Sequence, residues 1–339
     1  MNRDSDLNRP VFIVGSHKSG TTLLQRLLDG HPELFALPIE GHFFEWSGFE
    51  VQYPLRPTRR AGADLAERAR LLMEQFAEHQ RRIKDDEVPK SGATRGFRGY
   101  DISTVRSFME RIEVESIQDL CVAYLQALYF GVEGEPPPGH VRLVEKSVEN
   151  AEFVPFLKLM FPEARFLHVI RNPYTTHASI RAHRAGSSPL SFPFIGPSVR
   201  ALEHTYRTLL QNMDLTGSDY KVVRYETLVA DSRGAMGEVA DFLDVSWSDD
   251  LLKPTMLGEP WAGNSTTGED FEGISASRAD LDRDEITDLE VAALERIPDA
   301  IFRTFGYERL RPRRSPLLPA SGEGPKTYLR NRSFLLSRD

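Results

Sequence analysis

The sequence predicts a three-layer α/β fold: a central parallel sheet with helices on both faces, plus a helical insertion. Three observations carry this. Val11-Phe12-Ile13-Val14 is an unbroken apolar run ending in Gly15, the pattern of a strand buried on both faces. An amphipathic pattern, Leu23, Leu24, Leu27 and Leu28, follows it directly. From Val141 to Leu243, strand-like and helix-like segments alternate, as crossover connections in a parallel sheet require.

The first helix is expected over Thr21 to Asp29, with Gly30 as its C-terminal cap. Residues 40–100 break the alternation. They are rich in Arg, Pro and Gly at Tyr53-Pro54-Leu55-Arg56-Pro57 and from Lys90 to Gly99, around a charged helix over Ala63 to Lys84. A further helix is expected over Ile117 to Phe130, before the loop carrying Pro136-Pro137-Pro138. The alternation resumes with a strand at Val141 to Val144 and a helix over Pro155 to Phe161, its proline tolerated in the first turn. A strand at Arg165 to Ile170 and helices over Pro173 to Arg184 and Ala201 to Met213 follow. A strand at Tyr220 to Arg224 and a helix over Ser232 to Leu243 complete the alternation. The stretch from Leu251 to Ser277 reads as irregular and polar. A last helix is expected over Asp284 to Arg296, with Asp282 and Glu285 at capping-box spacing. Residues 1–310 thus read as one domain with a helical insertion over 51–130. Residues 311–339 read as a basic, Pro-rich tail with little fixed order.

With 339 residues and 40% hydrophobic content, the chain can bury a sizeable core. A formal net charge of −8 argues against nucleic acid as a partner, so any site for an anion must concentrate its positive charge locally. Cys121 is the sole cysteine, which excludes an internal disulfide and a Cys-rich metal site. Met1 to Pro10 has no signal-peptide character, and no segment has the length of a membrane span. A soluble, cytoplasmic protein is expected.

The segment Gly15-Ser16-His17-Lys18-Ser19-Gly20-Thr21-Thr22 joins the first strand to the first helix. N–H groups at a helix start, together with the helix dipole, make an anion site there. Lys18 adds charge, and Ser16, Ser19, Thr21 and Thr22 add hydroxyls. The spacing is P-loop-like, but Thr21 stands where a nucleotide-triphosphate loop needs lysine. A kinase with an unusual loop and a non-catalytic nucleotide-binding protein are the competing readings.

Lys18-Ser19-Gly20-Thr21-Thr22-Leu23-Leu24 resembles the 5′-phosphosulfate loop of sulfotransferases that use 3′-phosphoadenosine 5′-phosphosulfate (PAPS). Phe166-Leu167-His168-Val169-Ile170-Arg171-Asn172-Pro173, with Ser179 eight residues after the arginine, resembles the family's 3′-phosphate segment. An arginine fork suits a phosphate. Leu143-Val144-Glu145-Lys146-Ser147 ends a predicted strand, and the segment from Glu145 through Ser179 resembles the bacterial branch and, more distantly, the tyrosylprotein sulfotransferases, where the matching lysine lies beside the sulfuryl group. Val223-Arg224-Tyr225-Glu226-Thr227-Leu228 resembles a further signature; Tyr225 either contacts the nucleotide or packs. Gly273-Ile274-Ser275-Ala276-Ser277-Arg278 resembles a loop near the sulfuryl group and the 3′-phosphate. The resemblance runs from about Val11 to Asp244, with weaker matching to Tyr307, and leaves out the stretch from about Val51 to Tyr100. His17 replaces a proline often found before the basic residue.

The resemblance implies PAPS as co-substrate, with Ser16, His17, Lys18, Ser19, Gly20, Thr21, Thr22, Arg171, Ser179, Tyr225, Ser275, Ser277 and Arg278 as its binding residues. Lys18 and Lys146 are assigned to charge on the bridging oxygen. Transfer to an acceptor hydroxyl needs in-line positioning and a general base. Glu40 is the first choice for the base and His42 the second, with Glu45 nearby; in the tyrosylprotein branch a Gly-Glu-Glu segment supplies it, from which Pro38-Ile39-Glu40 departs. No metal is required, and the sequence offers no ligand cluster: His177 and His183 are poorly spaced, and His168 reads as a core residue. The acceptor stays open among carbohydrate, lipid, natural product and tyrosine, with contacts expected from the insertion and from Ser187 to Pro197.

Overall fold

Val11–Gly15 (β1), Leu34–Ala36 (β2), Arg142–Lys146 (β3), Arg165–Ile170 (β4) and Tyr220–Arg224 (β5) form one parallel sheet in the order β2-β3-β1-β4-β5. The structure, a computed structural model, describes residues 9–58, 63–84, 97–185, 192–261, 263, 274 and 282–337. The helices up to β4 are Thr21–Leu28 (α1), Phe43–Trp46 (α2), Leu65–Lys84 (α3), Ile102–Met109 (α4), Ile117–Glu133 (α5) and Val154–Met160 (α6). Beyond it come Pro173–Ala185 (α7), Gly196–Thr216 (α8), Tyr225–Ala230 (α9), Ser232–Leu243 (α10), Asp288–Ala293 (α11), Asp299–Phe305 (α12) and Pro325–Leu336 (α13).

Strand side chains alternate between faces, and each face has its own core. Phe12, Val14 and Phe166 join one cluster with Leu120, Tyr124 and Leu128 of α5 and Leu202, Tyr206 and Leu209 of α8. Val11, Ile13, Leu167 and Val169 join the other with Leu24, Leu27 and Leu28 of α1 and Met236, Val239 and Leu243 of α10. Three layers result, as the sequence predicts. β1 lies between β3 and β4, with Ile13 beside Lys146 and Gly15 beside Val169. The carboxyl ends of β1, β3, β4 and β5 therefore converge on one edge, the place where open α/β sheets bind ligands.

Three expectations need correction. The helix expected over Asp284 to Arg296 is broken: 3₁₀ turns at Arg283–Glu285 and Leu294–Arg296 flank α11. The capping box uses Thr287 and Glu290, not Asp282 and Glu285, because Thr287 accepts from the Glu290 N–H while the Glu290 carboxylate accepts from Thr287. The tail expected to lack order carries α13. Asn331, Arg332 and Phe334 are buried there, and Asn331 Oδ1 accepts the Ile195 N–H at 3.0 Å. Its polar composition hid these anchors, two of which, Asn331 and Arg332, are themselves polar.

Candidate active site

Between β1 and α1 the chain makes a tight loop. Ser19 Oγ donates to the Ser16 carbonyl at 2.8 Å, and Lys18 takes a left-handed conformation at φ 64°. Gly20 caps α1 at φ 105°, and a Cβ there would lie 2.4 Å from Tyr225 Cδ2. Only glycine satisfies both demands. The first turn of α1 holds no acidic side chain and Gly20 offers no capping side chain, so the positive pole of the helix is left for a ligand. Ser16, Ser19, Thr21 and Thr22 are buried beside it.

Arg171 follows β4 and reaches this loop: its Nη1 donates to the Lys18 carbonyl at 3.1 Å. Its guanidinium lies 4.6 Å from the Tyr225 ring centroid. Tyr225 thus packs against both Gly20 and Arg171. The turn is held from α9 and from the C-terminal region. Glu226 Oε1 accepts the Asn172 N–H at 2.8 Å, and Tyr307 donates to Glu226 Oε2 at 3.0 Å. Ser179 is half-buried on α7. His183, one turn further, is held below the ordinary histidine range by burial and then by Lys18, which sets this side of α7 near the loop. Ser275, Ser277 and Arg278 lie outside the described residues.

The other half of the site surrounds Glu40. Lys146, at the end of β3, donates from Nζ to Glu40 Oε1. Arg56 Nη1 donates to Glu40 Oε2 at 3.0 Å, and His42 Nε2 lies 3.0 Å from the same oxygen. His42 Nδ1 meets Glu149 Oε1 and lies 3.3 Å from Glu45 Oε2. Burial pushes the Glu40 carboxyl up, but Lys146, Arg56 and His42 outweigh it and hold the group well below the usual carboxylate range. For His42, burial acts downward, and Glu149 together with Glu40 and Glu45 holds it well above the ordinary value. These surroundings favour the charged forms, carboxylate for Glu40 and imidazolium for His42.

Glu145 braces this half. Burial raises its carboxyl to about 7, against hydrogen bonds from Ser147 and Gly41. It accepts the Gly41 N–H at 2.9 Å, Ser147 Oγ at 2.5 Å and Asn150 Nδ2 at 2.5 Å. Gly41 separates Glu40 from His42, and a Cβ on it would lie 2.8 Å from Glu145 Oε1. From α3, His79 stands with its ring 5.2 Å from Trp46 and 6.4 Å from His42, pushed down to about 4 by burial and then by His42.

Sequence reasoning found no ligand cluster, yet Glu40, His42 and Glu149 bring ligand atoms within 4.8 Å of one another. Arg56 stands among them, with Nη1 3.1 and 3.3 Å from the two His42 ring nitrogens as well as 3.0 Å from Glu40. Three carboxylates (Glu40, Glu45 and Glu149) face three cations (Lys146, Arg56 and His42), so the cluster is balanced by its own side chains. Glu149, Arg56 and His79 carry no local motif. His168 is buried with Nδ1 2.6 Å from Tyr220 Oη, as a core residue should be.

A sequence profile described as the Sulfotransferase family matches residues 10–249. The chain belongs to this family. Its curated relatives include the Protein-tyrosine sulfotransferase of Drosophila melanogaster, 22% identical over 243 residues, covering 71% of this chain and 39% of that protein. Protein-tyrosine sulfotransferase A of Caenorhabditis elegans is 21% identical over 248 residues, covering 73% of this chain and 53% of that one. The chain thus spans about half or less of the length of these relatives. The solved Sulfotransferase Domain from the Curacin Biosynthetic Pathway superposes with a TM-score of 0.53 at 18% identity, covering 89% of this chain and 99% of that one, a likeness of fold. Sulfuryl transfer is the family's chemistry. Among the described residues, no helix is long and apolar enough to cross a membrane.

Proposed function

We propose that this sulfotransferase takes its sulfuryl group from PAPS and passes it to an acceptor hydroxyl, releasing adenosine 3′,5′-bisphosphate. The observation that carries the reading is the contact of Arg171 Nη1 with the Lys18 carbonyl at 3.1 Å. Two segments 153 residues apart in sequence, each suited to a phosphate, meet through this contact at the sheet edge. The loop Ser16–Thr22 would take the 5′-phosphosulfate, and Arg171 with Ser179 the 3′-phosphate. Tyr225 would keep Arg171 and the loop in register.

Lys18 and Lys146 would offset negative charge on the bridging oxygen as the bond to sulfur lengthens. Glu40 would accept the acceptor's proton. While Lys146 holds it, its basicity is low, so Lys146 must turn toward the donor before Glu40 becomes an effective base. His42, already protonated, would orient Glu40. The acceptor is a hydroxyl compound. Arg56 and His79 place segments 51–58 and 65–84 beside Glu40 and His42, where that compound would enter.

Calorimetric titration with adenosine 3′,5′-bisphosphate, against ATP with Mg²⁺, tests the reading on wild type and Arg171→Ala. The expected result is bisphosphate binding that weakens sharply in the variant. Binding of ATP and not of the bisphosphate would overturn it.

A further inference from the structure

Tyr53 lies in a loop closed by an antiparallel bridge between Val51 and Thr58, outside every motif of the sequence. It is only 1% exposed and packs with Val51, Val148 and Ala201. Its ring runs nearly parallel to the His17 imidazole and is offset from it, with centroids 5.3 Å apart and planes 7° from parallel. Two contacts converge on its hydroxyl. The His17 backbone N–H donates to it over 3.4 Å, and His17 Nδ1 stands 2.8 Å away.

These contacts determine where the protons are. Burial pushes the Tyr53 phenol up, so it keeps its hydrogen. Burial and then Arg56 push His17 down to about 3, so its ring is neutral near pH 7. The Tyr53 oxygen accepts one N–H and holds one hydrogen to give, and the acceptor beside it is Nδ1. A neutral imidazole that accepts at Nδ1 carries its own proton on Nε2. In the opposite tautomer the Tyr53 oxygen would have to accept both His17 N–H groups, and its own O–H would be left without an acceptor among these contacts. His17 sits between Ser16 and Lys18 in the anion loop, and the charges of Arg56, Glu40, Glu149 and Lys146 act on it. A proline at this position would have neither a backbone nor a side-chain N–H.

We propose that Tyr53 is a positioning residue for the donor loop: it holds His17 as the Nε2–H tautomer, making His17 an uncharged hydrogen-bond donor to the phosphosulfate oxygens beside Lys18. This rests on the PAPS reading above. It assigns the 51–58 loop a part in donor binding as well as proximity to the acceptor.

The test uses the full chain with PAPS and adenosine 3′,5′-bisphosphate as probes. Tyr53→Phe keeps the stacked ring and removes only the hydroxyl. Calorimetry should show PAPS binding weakened on the order of tenfold to 100-fold in Tyr53→Phe and in His17→Ala, the worth of one hydrogen bond to a charged group. The double variant should lose little more than either single one. Long-range ¹H–¹⁵N correlation of the imidazoles should find the His17 proton on Nε2 in the free wild type, and PAPS should shift that signal. Wild type that binds PAPS while Tyr53→Phe binds it equally well overturns this proposal alone. So does a wild-type His17 protonated at Nδ1, a result independent of how well either variant folds. Wild type that binds neither PAPS nor the bisphosphate overturns the donor reading, and this proposal with it.

Discussion

The Lys146 ammonium donates to Glu40 Oε1, tying the end of β3 to the loop that follows β2, 106 residues away in sequence. Lys146 is 1% exposed, so its charge is balanced inside the protein and not by water. Lys146→Met should raise the Glu40 carboxyl toward the ordinary range, because Lys146 is the strongest of the charges that oppose the upward push of burial. Carboxyl ¹³C shifts followed against pH report this directly. Since Arg56 and His42 still pair with Glu40, stability should fall by about 2 kcal/mol, below the usual cost of breaking a buried pair. PAPS turnover should drop on the order of 100-fold.

Glu145 gives the fold a pH dependence near neutrality. Burial raises its carboxyl from 4.5 to about 7, so the folded state favours the protonated form. Its contribution is fully present below about 4.5 and is lost as pH rises through about 7. The melting temperature of Glu145→Gln should therefore decline less than that of wild type between about pH 5 and pH 8. The amide oxygen can still accept the Gly41 N–H. Parallel melting curves across that range would reject the assignment.

Gly20→Ala should damage the loop twice, through φ of 105° and through the 2.4 Å approach of its Cβ to Tyr225 Cδ2. The backbone part alone costs about 1–3 kcal/mol. Adding Tyr225→Ala relieves the clash but not the backbone. Denaturant unfolding should rank Gly20→Ala below the double variant, and bisphosphate affinity should be poor in both.

Asn331→Ala tests the docking of α13. The side chain accepts the Ile195 N–H at 3.0 Å and donates to Glu323 Oε1 at 2.7 Å. Its loss leaves buried polar groups without partners, at about 1–3 kcal/mol. The melting temperature should fall by several degrees; no change would mean that α13 adds little to the fold.

The readable parts of this molecule are those where chemistry and chain neighbourhood coincide. Val11 to Thr22 carries strand, anion loop and helix start within a dozen residues, and Arg165 to Pro173 carries strand, arginine and helix start in fewer. Both are contiguous patterns that backbone geometry enforces. β2 was not legible, because three residues at Leu34–Ala36 are too few for a period to show. Arg56 and Glu149 escaped notice for another reason: each is an ordinary charged residue until the fold sets it against Glu40 and His42, from 14 to 107 residues away. The metal-ligand geometry of Glu40, His42 and Glu149, and the arginine among them, are likewise products of tertiary structure. Polar anchors such as Asn331 made a docked helix look like a solvated tail.

Tyr53 and Arg56 are joined by a turn in which the Arg56 N–H donates to the Tyr53 carbonyl at 2.9 Å, yet one touches the anion loop and the other the Glu40–His42 pair. A protein engineer who treats 51–58 as an exchangeable specificity cassette would meet this directly. Grafting a relative's segment there would remove the support of His17 and the counter-ion of Glu40 in one cut. A chimera would lose rate along with selectivity. Redesign of acceptor choice in this chain has to begin outside that turn or carry Tyr53 and Arg56 along unchanged.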